Sequence, residues 1–367
     1  MPAEGDGASA ATLGGRLGWL ILLAALVAAI GLGTVARRTF YPEFPQGIRE
    51  FAGSTMGTTW SLRAVLPEGA PDAWTIAIRD TVQARLDRVE RVMSTWDSTS
   101  ELSRFNRTRD TLPHVVSPLT LDVLRVAAEV GRESGGVFDV TVAPLVEAWG
   151  FGPGTEPLSE PPPPNQVRNL LERVGPDLLR IDARAGTVSK ARSDVVVDLS
   201  AIAKGYGLDL AAQGVGRLGV SSFALEVGGE VRAVGSRPDG SPWRVAIEAP
   251  VAGSRSIYRV MDLRDESVAT SGDYRNFYVA GGIRYSHIID PRTGAPTSWR
   301  GFSVTVVHPE AVRADAWATA LSVLGPEEGL RLAEQRGLSV LYVIEAGGRL
   351  ESRATPPMAS RLADPAS

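Results

Sequence analysis

The chemistry-bearing residues of this chain fall into a few short stretches. Val196-Val197-Asp198-Leu199-Ser200-Ala201-Ile202-Ala203-Lys204-Gly205-Tyr206 ends an apolar run in a carboxylate and then opens a helix, read over Ser200 to Gln213 with Ser200 as its cap. A helix N-terminus offers unpaired N–H groups and partial positive charge to a phosphate, and Lys204 adds a point charge. Lys204 shares its residue type only with Lys190 in a chain otherwise rich in arginine. Further on, Ala314-Asp315-Ala316-Trp317-Ala318-Thr319 places Asp315 and Thr319 four apart on one helical face. Such a pair either caps its own helix or gives a hard cation such as magnesium a carboxylate and a hydroxyl. Ser267 to Pro296 holds Ala269-Thr270-Ser271-Gly272-Asp273-Tyr274-Arg275 and Tyr285-Ser286-His287-Ile288-Ile289-Asp290-Pro291-Arg292-Thr293-Gly294. His287 lies within a strand read over Arg284 to Ile289, ahead of an Asp-Pro-x-Thr-Gly turn. An imidazole with a reference pKa near 6.5 suits a general base, Asp290 is the competing base, and the sequence does not rank them.

Three other stretches each read either as structure or as ligand contacts. Met56-Gly57-Thr58-Thr59-Trp60 is either a turn into a strand or a backbone approach to a ligand. Met93-Ser94-Thr95-Trp96 is either a helix end or an aromatic set to stack on a planar ring. Gly135-Gly136-Val137-Phe138-Asp139-Val140 is either a tight turn or a loop whose amides face a ligand edge.

These residues need a scaffold, and composition bounds it. The 367 residues are 44% hydrophobic and 22% charged, enough for a sizeable core. A net charge of -4 argues against a nucleic-acid-binding face. The absence of cysteine excludes disulfides, thiolate nucleophiles and iron–sulfur clusters. With only His114, His287 and His308, a metal here must be a hard ion held by oxygen. Leu17 to Val35 carries no charge and reads as one transmembrane signal-anchor, with a cleaved signal peptide as the rival; Arg16, Arg37 and Arg38 on either side do not set its orientation.

Periodicity then gives a mixed α/β (α+β) chain. Strands are read at Thr58 to Val65, Val195 to Val197, Phe223 to Val227, Trp243 to Glu248, Tyr258 to Leu263, Phe302 to Val307 and Leu338 to Ile344, the last as a closing strand. Helices are read at Asp72 to Met93, Leu119 to Glu133, Ala311 to Val323 and Glu327 to Arg336. The proline-rich Glu156 to Asn165 is a surface loop that can be neither helix nor central strand. The expected organisation is a tail (1–16), the anchor (17–35), a linker (36–50), one domain of β-sheets with packed helices (51–355) and a C-terminal tail (356–367).

In this order the segments MGTTW, MSTWDSTSELSRFN, GGVFDVTVAPLVEAWGFGP, DLSAIAKGYGLD, EVGGEVRAVG, VATSGDYRNFY, YSHIIDPRTGAP and ADAWATALSVLG resemble the FAD:protein FMN transferase family, also called the ApbE family. The resemblance runs from Met56 to Gly325. It implies a magnesium-dependent enzyme that cleaves FAD, places FMN on a threonine hydroxyl of an acceptor flavoprotein and releases AMP. The implied acceptors are subunits of membrane redox complexes or exported electron carriers, their threonine in a Ser/Thr-Gly-Ala-Thr-like sequence. The implied location is the bacterial cytoplasmic membrane, with the catalytic domain extracytoplasmic. Carried over residue by residue, Met56, Trp96, Val137, Phe138, Asp139, Asp198, Lys204 and Ile289 fall where the family contacts FAD. The Ala201 carbonyl, Asp315 and Thr319 fall where it holds magnesium, and His287 where a proton leaves the acceptor hydroxyl. Trp60 and Trp96 stand where tyrosine is frequent, which keeps stacking and loses a phenol hydrogen bond. FAD hydrolysis to FMN and AMP, and flavin binding without turnover, are the alternative activities.

Overall fold

Apolar residues recur every three or four positions through Ile78, Val82, Leu86, Val89 and Met93, and the segment folds as one helix, α1 (Asp72–Met93), with all five buried. The computed structural model describes residues 46–251, 256–274, 276–299, 301–347 and 349–362. The run from Leu17 to Val35 lies outside them; among the described residues no helix is long and apolar enough to cross a membrane. Residues 48–66 and 70–362 belong to one unit, which carries the site; residues 46–47 and 67–69 are the described part of a second, small one.

The principal sheet has eight strands: β1 (Gln46–Thr55), β2 (Thr58–Pro67), β3 (Phe223–Val227), β4 (Glu230–Val234), then, after a separate hairpin of β5 (Trp243–Glu248) and β6 (Ile257–Leu263), β7 (Ser267–Gly272), β8 (Phe302–His308), β9 (Ser339–Ala346) and β10 (Arg349–Ala354). Their spatial order is β1-β2-β3-β4-β7-β8-β9-β10, antiparallel from β2 onward. The period of two along each strand assigns the faces. Phe223, Leu225 and Val227 point into the core shared with α1 and α3 (Ala203–Arg217), whereas Ala224 packs on the opposite side with Trp243, Ile247, Met261 and Leu263 of the β5–β6 hairpin. A further core joins Val304 and Val306 of β8 to α2 (Pro118–Glu133) and α4 (Ala311–Gln335).

Several expectations are corrected. Val195 and Val197 are buried, but the segment pairs with no strand among the described residues. The Asn106 side chain replaces one, its Nδ2 donating to the Val197 carbonyl and its Oδ1 accepting the Val197 N–H, both at 2.8 Å. Helix α3 starts at Ala203, not Ser200, and has no side-chain cap; the Ser200 hydroxyl donates to Asp198 at 2.6 Å instead. The strand read over Arg284 to Ile289 is two, Ile283–Ser286 and Ile289–Asp290, with His287 in the gap. A helix begins at Pro164, inside the proline-rich stretch, because a missing N–H is harmless in a first turn. Strand β1 starts at Gln46, within the stretch read as linker, and β10 follows the strand read as closing. Within the stretch read as tail, Pro356–Ala359 is helical and Met358 is buried. The two helices read after Ala311 form α4, broken at Gly325 (φ 75°) before Pro326.

Candidate active site

Helices α3 and α4 hold each other by exchanged carboxylates. Asp209 of α3 accepts the amides of Ala311 and Val312 at 3.0 and 2.9 Å, satisfying donors at the N-terminus of α4. Asp315 of α4 returns the contact, its Oδ2 accepting the Gly205 amide at 2.9 Å. In a regular helix that amide would donate to Ala201, four residues back. Here it does not, and among the described residues the Ala201 carbonyl accepts no hydrogen bond. A Cβ on Gly205 would lie 2.8 Å from the Asp315 Cβ and closer still to the Ala311 carbonyl, so this approach demands glycine.

Lys204 stands beside this contact. Its Nζ lies 2.9 Å from Glu230 Oε1 and 3.6 Å from Asp315 Oδ1. Glu230 opens β4 straight after the Gly228-Gly229 turn, where both φ angles are positive; it is 4% exposed and its Oε2 has no hydrogen-bond partner among the described residues. Burial works against the Lys204 charge, but Asp315 and Glu230 outweigh it and hold the ammonium above its ordinary pKa. Burial drives both carboxyls above their usual range while Lys204 opposes it. One turn beyond Asp315, Thr319 faces the same cavity, and among the described residues its hydroxyl has no hydrogen-bond partner. Among the described residues no three His, Asp or Glu side chains cluster to hold a metal by themselves. The Ala201 carbonyl, an Asp315 oxygen and the Thr319 hydroxyl are a mixed, all-oxygen set that fits a hard cation completed by ligand oxygens.

These groups floor a cavity of about 1240 Å³. Its walls bring together most of the residues singled out from sequence: Trp96, Val137, Phe138, Asp139, Asp198, Ala201, Lys204, His287, Ile289, Asp315 and Thr319. Trp96 is 72% exposed, its turn set by the Ser94 hydroxyl oxygen, which accepts the amides of Trp96 and Asp97. Asp139 accepts the Thr141 amide and hydroxyl at 2.8 and 2.7 Å, and burial raises its pKa despite those bonds. Burial, then the charge of Asp198, also raises the Glu147 carboxyl on the same wall.

His287 Nδ1 lies 3.0 Å from the Asn276 carbonyl. A carbonyl only accepts, so Nδ1 carries the hydrogen and neutral His287 keeps its lone pair on Nε2. Burial lowers its pKa, partly countered by that carbonyl and by Asp273. Asp290, the competing base, is engaged by Arg292, accepting its amide at 2.9 Å and its guanidinium at 2.8 Å, and it does not line the cavity. Met56 also stands off the wall. It and Gly57 make the β1–β2 turn (φ 45° and 70°), its amide donates to Glu90 at 3.2 Å, and its side chain packs into the core. Trp60 is 1% exposed with Nε1 on Gln83, a core residue rather than a stacking surface. Sequence reasoning missed Glu230, whose one signal was an acidic side chain opening an apolar strand after paired glycines.

A mixed α/β scaffold with a cleft floored by a lysine between buried carboxylates at a helix N-terminus, and with Trp96 and Phe138 on its walls, offers positive charge to a phosphate and aromatic surface to a planar ring. The family model of the ApbE family matches residues 56–342. The FAD:protein FMN transferase of Vibrio cholerae is 38% identical over 328 residues, covering 89% of this chain and 93% of that protein. The Klebsiella pneumoniae protein of the same name is 37% identical over 306 residues, 83% of this chain and 86% of its own. Among solved structures, the flavin transferase ApbE from Vibrio cholerae superimposes with a TM-score of 0.78 at 37% identity, covering 87% of this chain and all of that one. The apo flavinyl transferase ApbE of Pseudomonas stutzeri gives 0.78 at 33%, covering 87% and 98%. The chain belongs to the ApbE family.

Proposed function

We propose that this protein is a magnesium-dependent FAD:protein FMN transferase that cleaves FAD, joins FMN through a phosphoester to a threonine of an acceptor flavoprotein and releases AMP. The observation that carries the reading is the Lys204 ammonium fixed between Glu230 and Asp315, with Ala201 and Thr319 lining the same cavity, the carbonyl of one and the hydroxyl of the other without a hydrogen-bond partner among the described residues. Trp96, Val137, Phe138 and Ile289 offer apolar and aromatic surface to the rings of FAD, and Lys204 sets positive charge against the pyrophosphate. The threonine oxygen bonds to the FMN-side phosphorus as the bond to the AMP oxygen breaks, and the hydroxyl proton passes to His287 Nε2. Phosphoryl transfer depends on alignment and charge neutralisation more than on covalent help, which suits a floor built by exchanged helix caps. Asp315, Thr319 and the Ala201 carbonyl would hold magnesium, which when bound neutralises the pyrophosphate. Incubation with FAD, magnesium and candidate acceptor domains, read by intact mass, should add one FMN to the acceptor and release AMP. AMP without a mass gain would indicate hydrolysis, and neither product would overturn the reading.

Residues 17–35 are proposed to anchor the protein in the bacterial cytoplasmic membrane with residues 36–367 outside the cytoplasm. The support is an uncharged run long enough to span about 30 Å of hydrocarbon. Protease added to cells with a permeabilised outer layer should digest the domain. Protection of an otherwise protease-sensitive domain would exclude this topology.

A further inference from the structure

The cavity is larger than one ligand needs and does not end at the lysine. Its 1240 Å³ exceeds the roughly 300–1,000 Å³ of a small-molecule cleft. The extension runs over the face of the principal sheet that the β5–β6 hairpin covers only in part. Its floor includes Ser61 and Arg63 of β2 and Ala224 and Glu226 of β3, with Ser61 opposite Glu226 and Arg63 opposite Ala224; Ser61 and Arg63 are exposed. Its wall is β5. Trp243, Arg244, Val245 and Ala246 all reach the cavity, although successive side chains leave a strand on opposite faces. A cavity touched by both faces meets the strand at its edge. The other edge is paired with β6, none of whose residues lines the cavity. The result is a trough with a sheet for a floor and, for a wall, a strand edge at Trp243 to Ala246 that pairs with no second strand among the described residues.

The trough leads into the transfer site. From Arg63 the floor follows β2 to Thr58, a distance of about 17 Å at roughly 3.3 Å per residue. There the Gly228 turn brings Thr58 and Lys204 together, since a Cβ on Gly228 would lie 2.9 Å from Thr58 Cγ2 and 3.4 Å from Lys204 Cδ. Arg244 is exposed on the wall with no acidic partner among the described residues. Glu226, by contrast, is occupied by the Gly229 amide and the Ser61 hydroxyl.

We infer that this trough receives an extended segment of the acceptor polypeptide, which adds as a strand to the open edge of β5, sets an acidic side chain against Arg244 and delivers its threonine hydroxyl to the Lys204 end. The inference rests on the FMN-transfer reading and names how that reaction's second substrate is held. Strand addition takes affinity from main-chain hydrogen bonds and so tolerates acceptors of differing sequence.

The absence of cysteine gives a clean test. The probe is a synthetic peptide carrying Ser-Gly-Ala-Thr with four residues on each side, one of them acidic, supplied with FAD and magnesium to the full chain. Labelling an Ala246→Cys variant with a bulky maleimide should raise the KM for the peptide at least about tenfold, the equivalent of one or two lost backbone hydrogen bonds, and leave FAD affinity within about twofold. A Leu112→Cys variant labelled alike, at a site 65% exposed and off the cavity, should behave as wild type. With unmodified enzyme, single N-methyl groups along the peptide backbone should weaken transfer at alternate positions only, because a strand turns every second N–H toward its neighbour. Wild-type KM in the labelled Ala246→Cys enzyme, or N-methyl effects without that alternation, would overturn the trough while transfer itself stands. AMP release by wild type with no FMN on the peptide would overturn the transfer reading, and the trough with it.

Discussion

Lys190 and Lys204 are both largely enclosed, and their surroundings send them in opposite directions. Lys190 is 2% exposed over the Phe105 ring and, among the described residues, donates only to neutral oxygens, the carbonyls of Asn106 and Thr108 at 3.2 and 3.0 Å. Burial pushes its pKa down to about 8. Lys204 meets two carboxylates, which overcome the same penalty and keep it charged. Burial alone makes a lysine a structural cross-link. Burial between paired anions at the head of a cleft makes it a permanent cation with somewhere to act.

Replacing each lysine should separate these roles. Lys204→Met should lower FMN transfer by on the order of 10³-fold, the scale of losing a charge-stabilising group. It should also destabilise the fold at neutral pH by about 3–5 kcal/mol by stranding Glu230 and Asp315 without a cation. Acids whose folded pKa is raised cost stability as pH rises through the range between their unfolded and folded values, so this variant should melt higher at pH 5 than at pH 8. No pH dependence beyond wild type would show that the two carboxyls are not held by Lys204.

The rim should respond through chemistry rather than stability. His287→Asn should slow single-turnover transfer by about 10²-fold or more with FAD affinity unchanged. Because burial holds the imidazole below its ordinary pKa, wild-type kcat/KM should stay level near neutrality, fall only at acidic pH, and lose that limb in the variant. A retained acid limb would assign it to another group. Trp96→Ala should weaken FAD binding by about 1–3 kcal/mol, the worth of one stacked ring, and Trp96→Phe should restore most of it.

The smallest effect on transfer belongs to Lys190→Met, whose rate should stay within about twofold of wild type while stability drops by roughly 1–3 kcal/mol for two carbonyls left unpaired. A lysine whose folded pKa lies below its unfolded one gains stability as pH rises from about 8 to 10.5, and the variant's melting curve should lack that gain.

Residues that announce themselves by periodicity were legible in the sequence, and those held by distant side chains were not. Helix α1 follows from the spacing of Ile78, Val82, Leu86, Val89 and Met93, and β3 and β5 from plain alternation. Val195 to Val197 reads as a strand because its burial is real, but its pairing comes from Asn106, 91 positions away. The true start of α3 was hidden likewise, since Asp315, 110 residues on, accepts the Gly205 amide. The resemblance gathered the Lys204, Asp315 and Thr319 segments, while Glu230 needed the turn that folds β4 back onto Lys204. Asp290 and Trp60 carried suggestive chemistry in sequence and are engaged by Arg292 and Gln83 in the fold.

The most direct measurement is the rate of FMN transfer against magnesium concentration for wild type, Asp315→Ala and Thr319→Ala, with circular dichroism as the folding control. If Asp315 holds magnesium as proposed, its loss should abolish most transfer in Asp315→Ala at every magnesium concentration. Loss of a neutral hydroxyl, replaceable by water, should leave Thr319→Ala partly rescued as magnesium rises. Wild-type magnesium dependence in a folded Asp315→Ala protein would contradict the account, reducing the exchanged carboxylates of α3 and α4 to a helix clasp.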